Sequence, residues 1–483
     1  MSVVPQIDGR EALAELSRFR MAFYRCLSAR ADAFFELTDA LLCADGPTRT
    51  PVELSLLAEH QRGYGSLYGA LNHGRLDANA LRDLLISLPL PRFDGRIVLT
   101  VDDSPWLRSD AACSPDRLFC LVHGRNGRSS DHVVPGWPYS FVAALTPDRT
   151  SWTQVLDAVR LEPADDAVAV TAHQLRDVVE RLIAAGQWQD GDRDVLVVMD
   201  AGYDVMRLAW VLRDLPVELV GRLRSDRLMR RPAPSLKEYA QAYPQGGRPP
   251  RHGKEFSLAR PASWPEPSVI TVNDTARYGK AEARAWDRLH PKLQQRSAWI
   301  DHDSELPLVE GTLIRLHVDH LPGDRNAPPV WLWSSSTGAT PDDVDFVWSC
   351  YLRRFRPGAH LSPVQAVPRL DEATITEPSG SGPMDLARHR RAQPTPPRRN
   401  TRTDRRKPWE KTTRPGAALT PTCVRRGFRH IRSHLAHPAH GPKPSRPGPG
   451  RPPGSTNRQP STRYDVGKTV RRPANLTERN ERG

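Results

Sequence analysis

Two short runs limit what this chain can fold into more than any other feature of it. Arg96-Ile97-Val98-Leu99-Thr100-Val101-Asp102 is apolar and rich in β-branched residues, and it ends in a carboxylate. Val195-Leu196-Val197-Val198-Met199-Asp200 repeats the pattern ahead of a turn at Ala201-Gly202-Tyr203. A continuous apolar run of this length belongs to a strand covered on both faces, near the centre of a sheet. Both runs then present an aspartate at their C-terminal ends. Hard oxygen donors carried on two rigid elements suit a divalent cation, which makes Asp102 and Asp200 the candidate metal ligands, with Asp103 as the alternative to Asp102.

The segments around these runs supply an order of elements. Residues 1–90 read as a helical N-terminal domain, with Leu13, Leu16, Phe19 and Phe23 at helical spacing and a Thr50-Pro51-Val52-Glu53 capping box. His60, Arg62, Tyr64 and Tyr68 are its candidate DNA contacts, weighed against an ordinary solvated face. After Asp102 come strand-like runs at Leu118 to His123 and Tyr139 to Leu145, in the turn-rich setting of an antiparallel meander. A Thr171-x-x-Gln174 capping box opens a helix that Gly186 closes, and Val205 to Leu212 and Val217 to Gly221 follow the Asp200 run as helix and strand. Strand, strand, strand, helix, strand, helix, strand is the order of an RNase H-like domain, here spanning 91–221. Its first and fourth strands lie side by side, so Asp102 is expected beside Asp200.

Between 222 and 336 the chain alternates strand-like pieces (Ser268 to Val272, Leu313 to Val318, Val330 to Trp333) with Arg/Pro/Gly loops and reads as a β-rich insertion. In the loop Gly247-Arg248-Pro249-Pro250-Arg251-His252-Gly253-Lys254, the side chains of Arg248, Arg251 and Lys254 are candidate phosphate contacts. Thr340-Pro341-Asp342-Asp343 then opens a helix, assigned to 337–357, through Val344, Val347, Trp348, Tyr351 and Leu352.

Asp102 on its strand, Asp200-Ala201-Gly202-Tyr203 after the next, a β-rich segment and Tyr351-x-x-Arg354 on a helix together resemble the insertion-sequence transposases of the DDE superfamily. Within it they match the subgroup whose third motif is Tyr-x-x-Arg-x-x-x-Glu-x-x-x-x-x-x-Lys. The resemblance implies two Mg²⁺ ions, with Mn²⁺ as a substitute, held by two Asp and one Glu. It implies DNA strand cleavage and transfer at the element's ends, Tyr351 and Arg354 at the DNA, and a homodimer in the synaptic complex. Gly358 stands where the motif has Glu, and Gln365 where it has Lys.

A frame change accounts for both departures. Residues 357–366 can be encoded CCC GGA GCA CAC CTT TCG CCT GTT CAA GCA, and read one base later this gives Pro-Glu-His-Thr-Phe-Arg-Leu-Phe-Lys, with Glu and Lys at the motif spacing. Pro357, Pro363 and Pro368 are expected to stop the helix. The remainder, 358–483, reads as a disordered basic Pro/Arg-rich tail that regains the family's character from about Arg405. Pro449-Gly450-Arg451-Pro452 resembles a minor-groove hook, and His434, His437 and His440 have ligand-like spacing in a segment expected to hold no metal.

The fold class expected is therefore α/β: an RNase H-like catalytic domain with a β-rich insertion, a helical N-terminal domain and a disordered tail. A net charge of +13, carried mostly by arginine, favours a polyanionic partner, and duplex DNA is the first choice. A non-catalytic remnant that binds the element's ends and represses intact copies is the alternative to an active enzyme. A phosphatase built on Val101-Asp102-Asp103-Ser104 is excluded, because that chemistry needs a second Asp where Ser104 stands. No signal-peptide pattern or membrane-length apolar run is present, and the six cysteines form no C-x-x-C pair, so a cytoplasmic protein with reduced thiols is expected.

Overall fold

The computed structural model of the chain describes residues 9–44, 51–109, 111, 113, 114, 116–122, 132–147, 153–296, 299, 302–321, 328–365 and 421–442. Thr50 and the 449–452 hook lie outside them. Five helices come first: α1 (Gly9–Arg25), α2 (Ala31–Cys43), α3 (Pro51–Ser55), α4 (Tyr64–His73) and α5 (Ala78–Ile86), with a ribbon of β1 (Leu27–Ala29) and β2 (Arg75–Leu76). Leu16 and Phe23 are buried, as the helical spacing of α1 requires.

A short β3 (Arg92–Phe93) turns into β4 (Arg96–Leu107), which runs through an eleven-stranded sheet. Its neighbours are β5 (Leu118–Val122), β6 (His132–Leu145), β7 (Thr153–Arg160), β8 (Val195–Met199) and β9 (Val217–Leu223). In space the core order is β7-β6-β4-β8-β9, with β4, β8 and β9 parallel and the others antiparallel. This mixed α/β sheet agrees with an RNase H-like arrangement, and its first and fourth core strands are neighbours.

The third core strand is not the run expected at 118–123, whose described part, Leu118–Val122, forms an edge strand beside the first half of β6. It is β7, hidden in the sequence because two of its buried residues are polar. Gln154 donates to the Leu85 carbonyl, and Asp157 accepts from Arg82. Nor does β4 end at Asp102. It continues to Leu107 against β6, whereas its parallel pairing with β8 is recorded only for Val98 to Thr100. Asp102 therefore marks where the parallel partner stops.

Helices α6 (Ala167–Ala184) and α7 (Val205–Val211) cover one face of this core. Asp166, not Thr171, caps α6, accepting from the Val168 and Ala169 amides. The Thr171 hydroxyl is inside the helix and donates to Ala167, and Gln174 reaches the sheet, where it accepts from the Ser140 hydroxyl at 2.7 Å. Gly186, at φ +67°, follows the C-cap in the left-handed conformation expected of it.

The region assigned as an insertion extends the same sheet. After β10 (Leu228–Arg230), α8 (Leu236–Ala242) and β11 (Glu255–Ser257), the strands β12 (Val269–Thr275), β13 (Gly279–Leu289), β14 (Gly311–Val318) and β15 (Val330–Ser334) add on antiparallel beyond β9. The longest of them, β13, gives little apolar signal because its buried face is Ala281, Ala283 and Ala285 between charged residues.

Helix α9 (Pro341–Gln365) lies on the other face of the sheet through Val344, Val347, Trp348, Tyr351 and Leu352. It runs to Gln365 and does not stop at Pro357. A proline removes one intrahelical bond and kinks a helix, but a helix anchored by packing over its first turns can carry two spaced six residues apart. The tail also departs from its expected disorder: α10 (Pro421–Arg426) and α11 (Phe428–Arg432) pack against α1 and α2, burying Val424, Phe428, Ile431 and Leu435. Among the described residues no helix is long and apolar enough to cross a membrane.

Candidate active site

Side chains alternate faces along a strand, and this alternation sorts the acids. On β4, Ile97, Leu99 and Val101 face α6 and α7, while Val98 faces α9. Asp102 has the parity of Val98 and comes up under α9. Asp103 has the parity of Leu99 and points the other way, where it accepts a 3.0 Å hydrogen bond from the Tyr203 hydroxyl. On β8, Leu196 and Val198 face α9, and Asp200 follows them to the same side. The alternation therefore favours Asp102 over Asp103 as the partner of Asp200.

A single guanidinium bridges the two acids. Arg354 of α9 donates through Nη2 to Asp102 Oδ1 at 3.0 Å, and its Nη1 lies 3.5 Å from Asp200 Oδ2. The arginine side chain is 6% exposed and the carboxylates 30% and 41%, so the cation approaches from the protein side and the acids open outward. Asp200 Oδ1 accepts from the Ala201 amide at 2.7 Å and stands 4.0 Å from Arg222. Burial raises the Asp102 carboxyl above the usual range. The Asp200 charge pushes it further up, and Arg354 opposes both.

Tyr351 and Arg354, expected at the DNA, are used inside the protein. Tyr351 is fully buried, and its phenol is pushed far up, first by burial and then by the Asp200 charge. The neighbouring Arg353 ties α9 to the end of β6 by donating to Thr146 at 2.7 Å and 2.9 Å. Of the three acids of α9, Asp343 and Asp345 are committed elsewhere, and Asp342 is exposed in the first turn. Asp345 accepts from Thr271, Asn273 and Trp348, and Asp343 pairs with Arg193 and caps the helix at Thr340. Among the described residues no three His, Cys, Asp or Glu side chains are grouped to hold a metal ion.

Two hard carboxylates, one within β4 and one just past β8, still suit Mg²⁺, which commonly takes one or two protein carboxylates and completes its shell with water and phosphate oxygens. Residues 248–254 follow α8, with Arg248, Arg251 and Lys254 exposed, although Arg251 is paired with Glu305 at 2.6 Å. His60 is buried against Glu36, and Arg62 is engaged by Asp32 at 3.1 Å, so neither forms an open basic face.

The sequence reading missed Arg222 and the part played by Tyr203. The signal for Arg222 lies in the register. Met199 pairs with Gly221, so the residues that follow each of them, Asp200 and Arg222, emerge together. A family model described as DDE superfamily endonuclease matches residues 22–292, more than half of the chain. No curated protein matches it.

Proposed function

The chain belongs to the DDE superfamily endonucleases, and from that premise we propose that it is an insertion-sequence transposase acting on duplex DNA at the ends of a mobile element. The observation that carries this reading is the Asp102–Asp200 pair, brought to one face by adjacent parallel strands and held by a single cation. Asp102 and Asp200 would hold the divalent ion. When bound, such an ion activates water or a 3′-hydroxyl and neutralises charge developing on the phosphodiester. Arg248, Arg251 and Lys254 would meet the DNA backbone, and two copies would bring two ends together. Tyr351 is buried and Arg354 is engaged with the two acids.

Gly358 favours a second feature of this reading: the chain holds DNA ends without cutting them. A glycine contributes no carboxylate, Asp343 and Asp345 are already occupied, and Asp342 sits in the first turn of α9, about four turns from position 358. Cleavage with an incomplete ligand set falls by orders of magnitude, whereas binding through phosphate contacts need not. Such a chain would compete with intact copies for their ends.

Filter binding of labelled duplex at ~50 mM salt should show affinity that declines steeply as salt rises, through counterion release. Absence of binding there would remove every nucleic-acid role. In Mg²⁺ the purified chain should leave cognate ends intact. A gene restored to the alternative frame from codon 357 to about 404 should cut them, and Asp200→Ala should abolish that cutting. Cleavage by the unrestored chain would show that a third ligand comes from elsewhere.

A further inference from the structure

The Asp102–Asp200 pair meets a cation of the protein's own, Arg354. We propose that Arg354 is an internal counter-ion for the Asp102–Asp200 pair, and that a divalent cation binds by displacing its guanidinium. The inference rests on the reading of this pair as the metal-holding site.

Three observations lead to it. First, both acids contact the same guanidinium, one through each terminal nitrogen, so the arginine occupies the charge position that a bridging cation would take. Second, Arg354 is almost wholly buried and follows three residues of its helix that are packed or bonded in place. Tyr351 and Leu352 pack on the sheet, and Arg353 is bonded to Thr146. The guanidinium is thus held at the pair, with no surface freedom to leave at no cost. Third, the pair is short of positive charge. One buried guanidinium faces two carboxylates, Arg222 reaches Asp200 only at 4.0 Å, and Asp200 shares that side with a backbone amide. The deficit attracts a further cation, and the acids' outward exposure leaves it a way in.

A guanidinium and a metal ion within a few ångströms of the same oxygens repel each other, and planar N–H donors give up their acceptors when those oxygens turn to a metal. Where Asp102 Oδ1 or Asp200 Oδ2 enters the metal shell, Arg354 has to release it. Arg354 therefore sets a threshold: the ion must supply more stabilisation than the two contacts it breaks.

The test is calorimetric titration of Mn²⁺ alone into the full chain, without DNA, for wild type, Arg354→Gln, Asp200→Asn and the double variant. Competition predicts that Arg354→Gln binds Mn²⁺ tighter than wild type by about tenfold, the size of one unit charge removed at close range. Asp200→Asn and the double variant should lose that binding. If Arg354→Gln binds no tighter while Asp200→Asn still abolishes binding, the guanidinium braces the pair and the proposal is overturned, with the pair's assignment intact. If Asp200→Asn binds as wild type does, the assignment and the proposal fall together. Should Arg354→Gln fold poorly in the absence of metal, its melting temperature provides a second measurement. Recovery by Mn²⁺ supports the exchange, and no recovery overturns it. Arg354→Lys, which keeps the charge but cannot bridge both acids, should then bind Mn²⁺ tighter than wild type by a smaller factor, and affinity equal to wild type would also overturn the proposal.

Discussion

Asp39 in the helical region and Asp102 in the sheet both accept from a buried arginine, yet their carboxyls move in opposite directions. Burial alone would raise Asp39, which is 1% exposed, but Arg20 holds it through two bonds at 2.6 Å and 2.8 Å, Arg432 adds a third at 2.9 Å, and His437 stands at 3.7 Å. Together they keep it well below the carboxylate range. Asp102 has only a half share in Arg354 and has Asp200 beside it, so its carboxyl rises. The difference is one of charge count. Where cations outnumber acids and water is excluded, the cluster is structural. Where two acids share one buried cation and open outward, the cluster is poised for another cation.

Asp39→Asn should give the largest effect, because it leaves Arg20 and Arg432 facing each other without an anion. Removing one member of a buried ion pair costs about 3–5 kcal/mol, readable as a fall in denaturation midpoint. The sign of the pH dependence follows. Because the folded-state pKa is depressed, this stabilisation is complete above the ordinary Asp range and is lost only as pH falls toward the folded value. Loss of stability already near pH 5 would place the acid-sensitive group elsewhere.

Arg432→Ala comes next. It removes one of the arginines and loosens the clasp between α11 and α2, where Arg425 and Arg429 also donate to the Ala44 and Cys43 carbonyls at the end of α2. Arg20 remains in place, so the cost should be about 1–3 kcal/mol. Proteolysis should detect it first as cleavage within 421–442. If the variant is as resistant as wild type, the tail does not depend on the Asp39 cluster for its place.

The same clasp shows where the sequence was legible. Continuous apolar runs disclosed β4 and β8, and their parallel pairing placed Asp102 and Asp200 together, because burial on both faces writes itself into consecutive residues. The arginines of the tail gave the opposite impression. A segment rich in Arg and Pro suggests a solvated, DNA-seeking chain, but Arg425, Arg429 and Arg432 are spent on α2, and His437 and His440 meet Asp39 and Asp32. Their partners are roughly 400 residues distant, and although Asp32 and Asp39 are spaced to share one side of α2, nothing local shows that the tail is what meets them. Arg354 was found by its motif, but its partners were not, since a motif records spacing and not which face of a strand lies beneath it.

Asp200→Asn sharpens the contrast from the other side. It balances one acid against Arg354, so stability should stay within about 1 kcal/mol of wild type, as for other partly exposed ion pairs, in contrast to the loss at Asp39. Asp102 should titrate lower once the Asp200 charge is gone. A carboxyl raised in the folded state opposes folding above its pKa, and this is relieved as pH falls through it, so the variant should gain less stability on acidification than wild type. Carboxyl-carbon NMR reads the titration directly, and an unmoved Asp102 would mean that the two charges do not interact.

Tyr203→Phe should have the smallest effect on Mn²⁺ binding, and it concerns the acid that neither cluster uses. Asp103 is on the far face of β4, and its partner is a neutral phenol from the turn after β8. Burial raises the Asp103 carboxyl, and the Tyr203 bond partly offsets that rise. The phenol is pushed up in turn, by burial first and then by the Asp103 and Asp102 charges, and it stays a donor across the physiological range. Removing the hydroxyl should cost about 0.5–1.5 kcal/mol, as for one hydrogen bond, and should move Asp103 further up. It also cuts the tie between β4 and the Asp200 turn, so Mn²⁺ affinity should weaken slightly although Tyr203 touches neither Asp102 nor Asp200 in any bond described above. A loss of stability with unchanged Mn²⁺ affinity would mean that this bond supports the fold alone. Loss of affinity as large as that of Asp200→Asn would mean that Asp103, on the opposite face, had been the ligand all along.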